Sequence, residues 1–150
     1  MKILGLLAAL GAAALVAGSC GGSDSHASYR DVLTERYPPL ARSLDAAAEP
    51  CLAEDFPVCR KQSVRARAAA RQLVGALSGA DVPEGLEQAD RRFRHGLRTL
   101  ADDLDRTLAA IDAADEDALA SLRTCCSGAG VDVSNAVGVF NQELDLDLEQ

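Results

Sequence analysis

Leu86, Ala89, Phe93, Leu97, Leu100, Leu104, Leu108 and Ile111 follow one another at intervals of 3, 4, 4, 3, 4, 4 and 3 residues. An 11-residue repeat spans three helical turns at about 3.67 residues per turn, close to the natural period, so it predicts a nearly straight or slightly right-handed helix. Such a helix buries one stripe and needs partners along that stripe. Asp81 as N-cap, with Pro83 just inside, predicts its start. The repeat continues in register through Leu119, Leu122 and Cys126, but the position aligned with Phe93 and Leu104 is now Asp115. Unbroken, a helix from Pro83 to Cys126 would be about 65 Å long, and half of it would find no partner. We therefore expect a turn near Ala113 to Asp115, with Asp112 or Asp115 capping a new helix that folds back.

The partners are readable upstream. Leu33, Tyr37, Leu40, Leu44, Ala47 and Cys51 form one helical stripe, in which Pro38 and Pro39 predict a kink or restart and Pro50 an end. Phe56, Cys59, Ser63, Ala66, Ala70, Leu73 and Leu77 form a second, closed by Gly79 and the Asp81-Val82-Pro83 turn. Downstream, Val133, Val137, Phe140 and Leu144 predict a short helix over 133–144. No Lys or Arg follows Arg123, so the acidic segment 145–150 is expected to fray. With aromatics at 3% and apolar residues that are mostly Ala, Leu and Val, the helices are expected to approach closely. The fold class is all-α, an antiparallel bundle of three to four main helices over 28–144.

The N-terminus is of another kind. Lys2 precedes an apolar stretch from Ile3 to Val16, and the small residues Ala17, Gly18 and Ser19 precede Cys20. That is the layout of a secretory signal, and it falls short of the roughly 20 apolar residues of a membrane span. Val16-Ala17-Gly18-Ser19-Cys20 resembles the lipobox of bacterial lipoproteins, with Ala17 where a Leu is usual. The resemblance implies a signal peptide over 1–19, multiple acylation of Cys20 of the palmitate type, and an extracytoplasmic protein held to the cell membrane by that lipid. Ordinary cleavage is the alternative, since Ala17 and Ser19 also satisfy the small-x-small rule. Residues 20–27, rich in Gly and Ser, read as the lipidated cysteine and a flexible tether.

Cysteine arithmetic favours the lipid. The chain has five cysteines, and with Cys20 acylated the even set Cys51, Cys59, Cys125 and Cys126 remains. A turn near Asp115 would gather these at one end of the bundle, where an oxidising compartment reads them as disulfides. Cys51 with Cys59 closes a short loop worth about 2.6 kcal/mol in the chain-entropy model, and Cys59 with Cys125 or Cys126 a long one worth about 4.4 kcal/mol. Proximity favours the short bridge. Strain in a leftover bond between the adjacent Cys125 and Cys126 favours cross-bridging, and the pairing stays open. Neither the Cys-x7-Cys spacing nor the doublet matches a usual zinc site.

Net charge is −8, and loss of Lys2 with the signal makes the remainder one unit more acidic. This argues against nucleic acid and against electrostatic adhesion to anionic lipid. No nucleophile elbow, phosphate-cradling Gly loop or di-iron Glu-x-x-His pair occurs, so no enzyme, cofactor or metal is expected. His26 falls in the tether, and His95 lies about 170° from the apolar stripe at 100° per residue, facing water. Glu87 with Arg91, Asp90 with Arg94, Arg98 with Asp102, and Asp102 with Arg106 stand at i,i+4, as on a solvated helix face. The block Arg91, Arg92, Arg94, His95, Arg98 offers an alternative docking face for an acidic partner or lipid headgroup.

Together, the lipobox, the Cys51-x7-Cys59 spacing and the run Val82-Pro83-x2-Leu86-x2-Ala89 resemble a loose group of alanine-rich helical lipoproteins from bacteria of high genomic G+C. The resemblance implies a tethered helical domain and carries no activity with it. The expectation is a non-enzymatic module of the cell envelope that binds another envelope protein. The alternative is a bundle holding a small apolar ligand between alanine-lined helices.

Overall fold

The computed structural model describes residues 22–125 and 127–148, with side chains over 25–121 and 128–148. Residues 1–19, expected to be a signal peptide, lie outside the described residues, as do Cys20 and Cys126. The elements are α1 (Gly22–Leu52), α2 (Phe56–Ser78), α3 (Glu87–Ala113), α4 (Glu116–Cys125) and α5 (Ser127–Glu143), and no described residue is in a strand. α1 packs on α2, α2 on α3, and α3 on both α4 and α5, which follow one another along it in the opposite direction. This is the expected antiparallel helical bundle.

The stripe of α2 is buried as its spacing requires from Cys59 onward, with Ser63, Ala66, Ala70, Leu73 and Leu77 facing inward, while Phe56 at its start is half-buried. In α3 the repeat buries Phe93, Leu97 and Leu108, with Leu86 just ahead of the helix. Of the two Tyr and three Phe in the chain, all but Phe56 meet at one level. Phe93 stands edge-on to Phe140 at 5.2 Å between ring centres, Tyr29 meets Phe140 at 5.7 Å, and Tyr37 meets Phe93 at 6.1 Å. Full burial of each such side chain stabilises by about 1.5–3 kcal/mol, so this cluster fixes how α1, α3 and α5 sit together.

Three local expectations are corrected. α1 begins at Gly22, inside the segment read as a tether, and runs through Pro38, Pro39 and Pro50 to Leu52. An interior proline forfeits a helical hydrogen bond and costs about 3 kcal/mol. Burial of Tyr29, Leu33, Tyr37 and Leu40 along one face carries the helix across the first two prolines. Around them, Thr34 Oγ1 donates to the Arg30 carbonyl at 2.9 Å and Ser43 Oγ to the Pro39 carbonyl at 2.8 Å, local bonds that go with bent helices.

The second correction concerns the start of α3, which is Glu87 rather than Pro83. Residues 83–86 form a tight turn instead, with the Leu86 amide donating to the Pro83 carbonyl at 3.1 Å and Gly85 at φ 87°. Glycine takes that left-handed conformation without a Cβ penalty, so the turn is preferred to an early helix start. Asp81 consequently does not cap α3.

The third is the acidic segment after α5, whose described part, 145–148, docks rather than frays. Asp145 turns the chain at φ 50°, and Leu148 is only 6% exposed. The Asn141 side-chain amide donates to the Leu148 carbonyl and its oxygen accepts from the Leu148 amide, both at 2.9 Å. α5 itself begins at Ser127, six positions earlier than its apolar residues Val133, Val137 and Phe140 implied.

The turn between α3 and α4 is where the sequence placed it. Ala114 adopts φ 51°, its amide donating to the Ile111 carbonyl at 3.1 Å and the Asp115 amide to the Ala110 carbonyl at 2.9 Å. This pair of bonds is a Schellman stop. Asp115 then caps α4, its Oδ1 accepting from the Ala118 amide at 2.9 Å. Further up, α5 approaches α3 closely at Gly96, where an added Cβ would stand 3.0 Å from Val133 Cγ2 and 3.2 Å from the Ala129 carbonyl oxygen.

Candidate functional site at the disulfide end

α1 and α3 end, and α2 and α4 begin, at the same end of the bundle. Asp55 caps α2, its Oδ1 accepting from the Val58 amide at 3.3 Å. The Cys51 and Cys59 sulfurs lie 2.11 Å apart, at disulfide distance, and clamp the α1–α2 hairpin. Cross-bridged pairing of these two cysteines with the doublet is therefore not adopted. Cys126 lies outside the described residues, as does the side chain of Cys125.

Above the clamp the helices do not close. A cavity of about 210 Å³ opens between α1, α2, α3 and α4, lined by Leu44, Ala47, Cys51, Phe56, Leu104 and Leu119 among others. Its cause is in the sequence: Ala47 and Ala48 of α1, Ser63 of α2 and Thr107 of α3 lie at one level and are too small to fill it. Its polar groups are already engaged. Ser63 Oγ faces Cys59 Sγ at 4.0 Å, and Thr107 Oγ1 donates to the Asp103 carbonyl at 2.9 Å. Periodicity missed this site because each lining residue belongs to a regular stripe, and only the coincidence of small residues at one level marks it.

Beside the cavity, sharing Phe56 and Leu119 with it, is a second concavity lined by Glu54, Glu116 and Asp117. Over 49–61 and 112–117 the charged side chains are Glu49, Glu54, Asp55, Asp112, Asp115, Glu116 and Asp117 against Arg60 and Lys61. Arg60 is bound to Asp112, with Nε to Oδ1 at 2.6 Å and Nη2 to Oδ2 at 3.1 Å. That fork holds the Asp112 carboxyl below its usual range and raises the guanidinium. The rim also carries exposed apolar groups, Leu52 at 71% and Val58 at 38%. Among the described residues, no group of three or more His, Cys, Asp or Glu is arranged to hold a metal ion.

The charged face of α3 is less solvated than its i,i+4 spacing implied. Asp90 and Asp103 are buried, and Arg106 pairs with Asp103 rather than reaching back to Asp102. Arg94 is drawn to Asp90, with Nη2 to Oδ2 at 2.6 Å, which removes it from the basic block. Arg91, Arg92, His95 and Arg98 remain exposed. Across the α2–α3 seam, Arg67 meets Asp105 at 2.6 Å and Arg71 joins the same carboxylate. His26 lies exposed on α1. No described helix is long and apolar enough to cross a membrane. Comparison with protein-family models, with curated proteins and with solved structures finds no match to this chain.

Proposed function

We propose that this is a lipid-anchored, extracytoplasmic helical-bundle protein without enzymatic activity, whose membrane-distal end docks another protein of the cell envelope. The anchor rests on the signal-like run ending at Cys20. α1 starts two residues later and spans about 45 Å at 1.5 Å per residue, so an acylated Cys20 leaves the disulfide hairpin at the far end. The observation that carries the docking reading is the exposure of Leu52 and Val58 on that hairpin, next to the clamped cysteines. Apolar groups held rigidly in solvent favour a partner that covers them. The surrounding carboxylates favour a partner with a basic surface.

Photo-crosslinking residues placed at Leu52 and Val58 in intact cells test this. Adducts with one envelope protein at both positions, and none from Arg92 on the opposite half of the bundle, are the expected result. Adducts of equal yield at Arg92, or none at the hairpin, would overturn it.

A second reading is favoured by the cavity itself. Its apolar lining and lack of unengaged polar groups suit a small apolar guest better than water, which needs two to four polar partners.

A further inference from the structure

We infer that the cavity at the disulfide end binds a small cationic amphiphile, with its ring or short alkyl chain among Leu44, Ala47, Phe56, Leu104 and Leu119 and its ammonium beside Glu116 and Asp117. The inference rests on the second reading above and adds the charge of the guest. A void of about 150 Å³ holds benzene, so 210 Å³ takes one ring with part of an alkyl chain. The acidic concavity adjoins the cavity through the shared walls Phe56 and Leu119, so a guest seated in the first can extend its polar end into the second.

The sign of the charge follows from what surrounds that exit. Two helix C-termini and two N-termini converge here, and their partial charges oppose one another, leaving the side chains to set the field. Arg60 is spent on Asp112, and Asp55 and Asp115 are committed to capping, which leaves the exposed Lys61 against Glu49, Glu54, Glu116 and Asp117. Glu116 and Asp117, in the first turn of α4, stay exposed at the mouth. A neutral guest gains nothing from them, and an anionic guest is repelled. The carboxylates are spread around an opening rather than converged on a point, which suits an organic cation over a metal ion.

The test uses the full-length protein in phospholipid nanodiscs, titrated calorimetrically with 4-phenylbutylammonium, 4-phenylbutanol and 4-phenylbutyrate, with empty discs as blank. At low salt the ammonium probe is expected to bind about five- to tenfold more tightly than the alcohol, from two partly screened charge contacts, and the carboxylate most weakly. The double variant Glu116→Gln/Asp117→Asn, exposed and outside the core, should bring ammonium and alcohol to equal affinity. Ala48→Leu, at the cavity wall, should weaken both. If ammonium and alcohol bind alike to the unaltered protein, the cationic inference fails while the cavity reading stands. If none of the three binds, both fail.

Discussion

The Tyr29 hydroxyl donates to Asp90 Oδ1 at 2.8 Å, joining the first turns of α1 to the start of α3 across 61 positions of sequence. The same oxygen accepts from Arg94 Nε at 2.8 Å, so a buried carboxylate is held from both sides. Hydrogen bonds to charged groups contribute about 1.5–3 kcal/mol, and Tyr29→Phe is expected to lose about that much in urea unfolding at pH 7.

The same contact sets an alkaline limit. Burial first, and the bond to Asp90 second, raise the Tyr29 phenol well above its ordinary value of 10.0. Because the folded value is the higher one, the stabilisation is complete below about pH 10 and is lost as pH rises through that point toward the folded value. Unfolding curves between pH 8 and 11 should show stability falling at the alkaline end, and Tyr29→Phe should flatten that fall.

Gly75 and Gly96 are both helical, yet replacement by alanine should act differently at the two sites. Nothing lies within 4 Å of a Cβ at Gly75, so Gly75→Ala is expected to stabilise by about 0.5–1 kcal/mol. At Gly96 the new methyl meets α5 at 3.0 Å, and Gly96→Ala should show no such gain. Thermal melts of the two variants side by side decide this. Equal stabilisation would mean that α5 does not approach α3 at Gly96.

The α3–α4 turn can be tested in both directions. Ala114 holds a left-handed conformation that glycine adopts freely, so Ala114→Gly should stabilise by roughly 0.5–1 kcal/mol. Asp115→Ala removes the cap of α4 and should destabilise by about 1 kcal/mol. A continuous helix through this point would give the opposite sign for Ala114→Gly.

Asn141→Ala releases both hydrogen bonds to Leu148 and should destabilise by about 1–3 kcal/mol. Removal of 145–150 should do at least as much. Hydrogen exchange at the Leu148 amide gives the local readout, with protection in the unaltered protein and none in Asn141→Ala.

What the sequence made legible is what periodicity and capping govern. The α2 stripe and much of the α3 stripe are buried where spacing puts them, and the intrusion of Asp115 into an apolar register locates the α3–α4 turn. Pro38 and Pro39 do not end α1 because the burial of Leu33, Tyr37 and Leu40 along one face outweighs their local propensity. The burial of Asp90 is not legible because its i,i+4 partner Arg94 is local, whereas the group that accompanies it into the core, Tyr29, is distant in sequence. Leu148 was hidden by acidic neighbours, and its anchor is a single asparagine. The cavity is a property of four helices at one level, which no single-helix pattern expresses.

The proposed function turns on a lipid at Cys20, which would set the end of the bundle that meets a partner, and one measurement addresses it directly: mass spectrometry of the protein extracted from membranes of the cells that make it. The expected species begins at Cys20 with diacylglyceryl and acyl mass on that residue, and yields a peptide in which Cys51 and Cys59 are joined. A chain that retains Met1, or one with an unmodified Cys20, would contradict it.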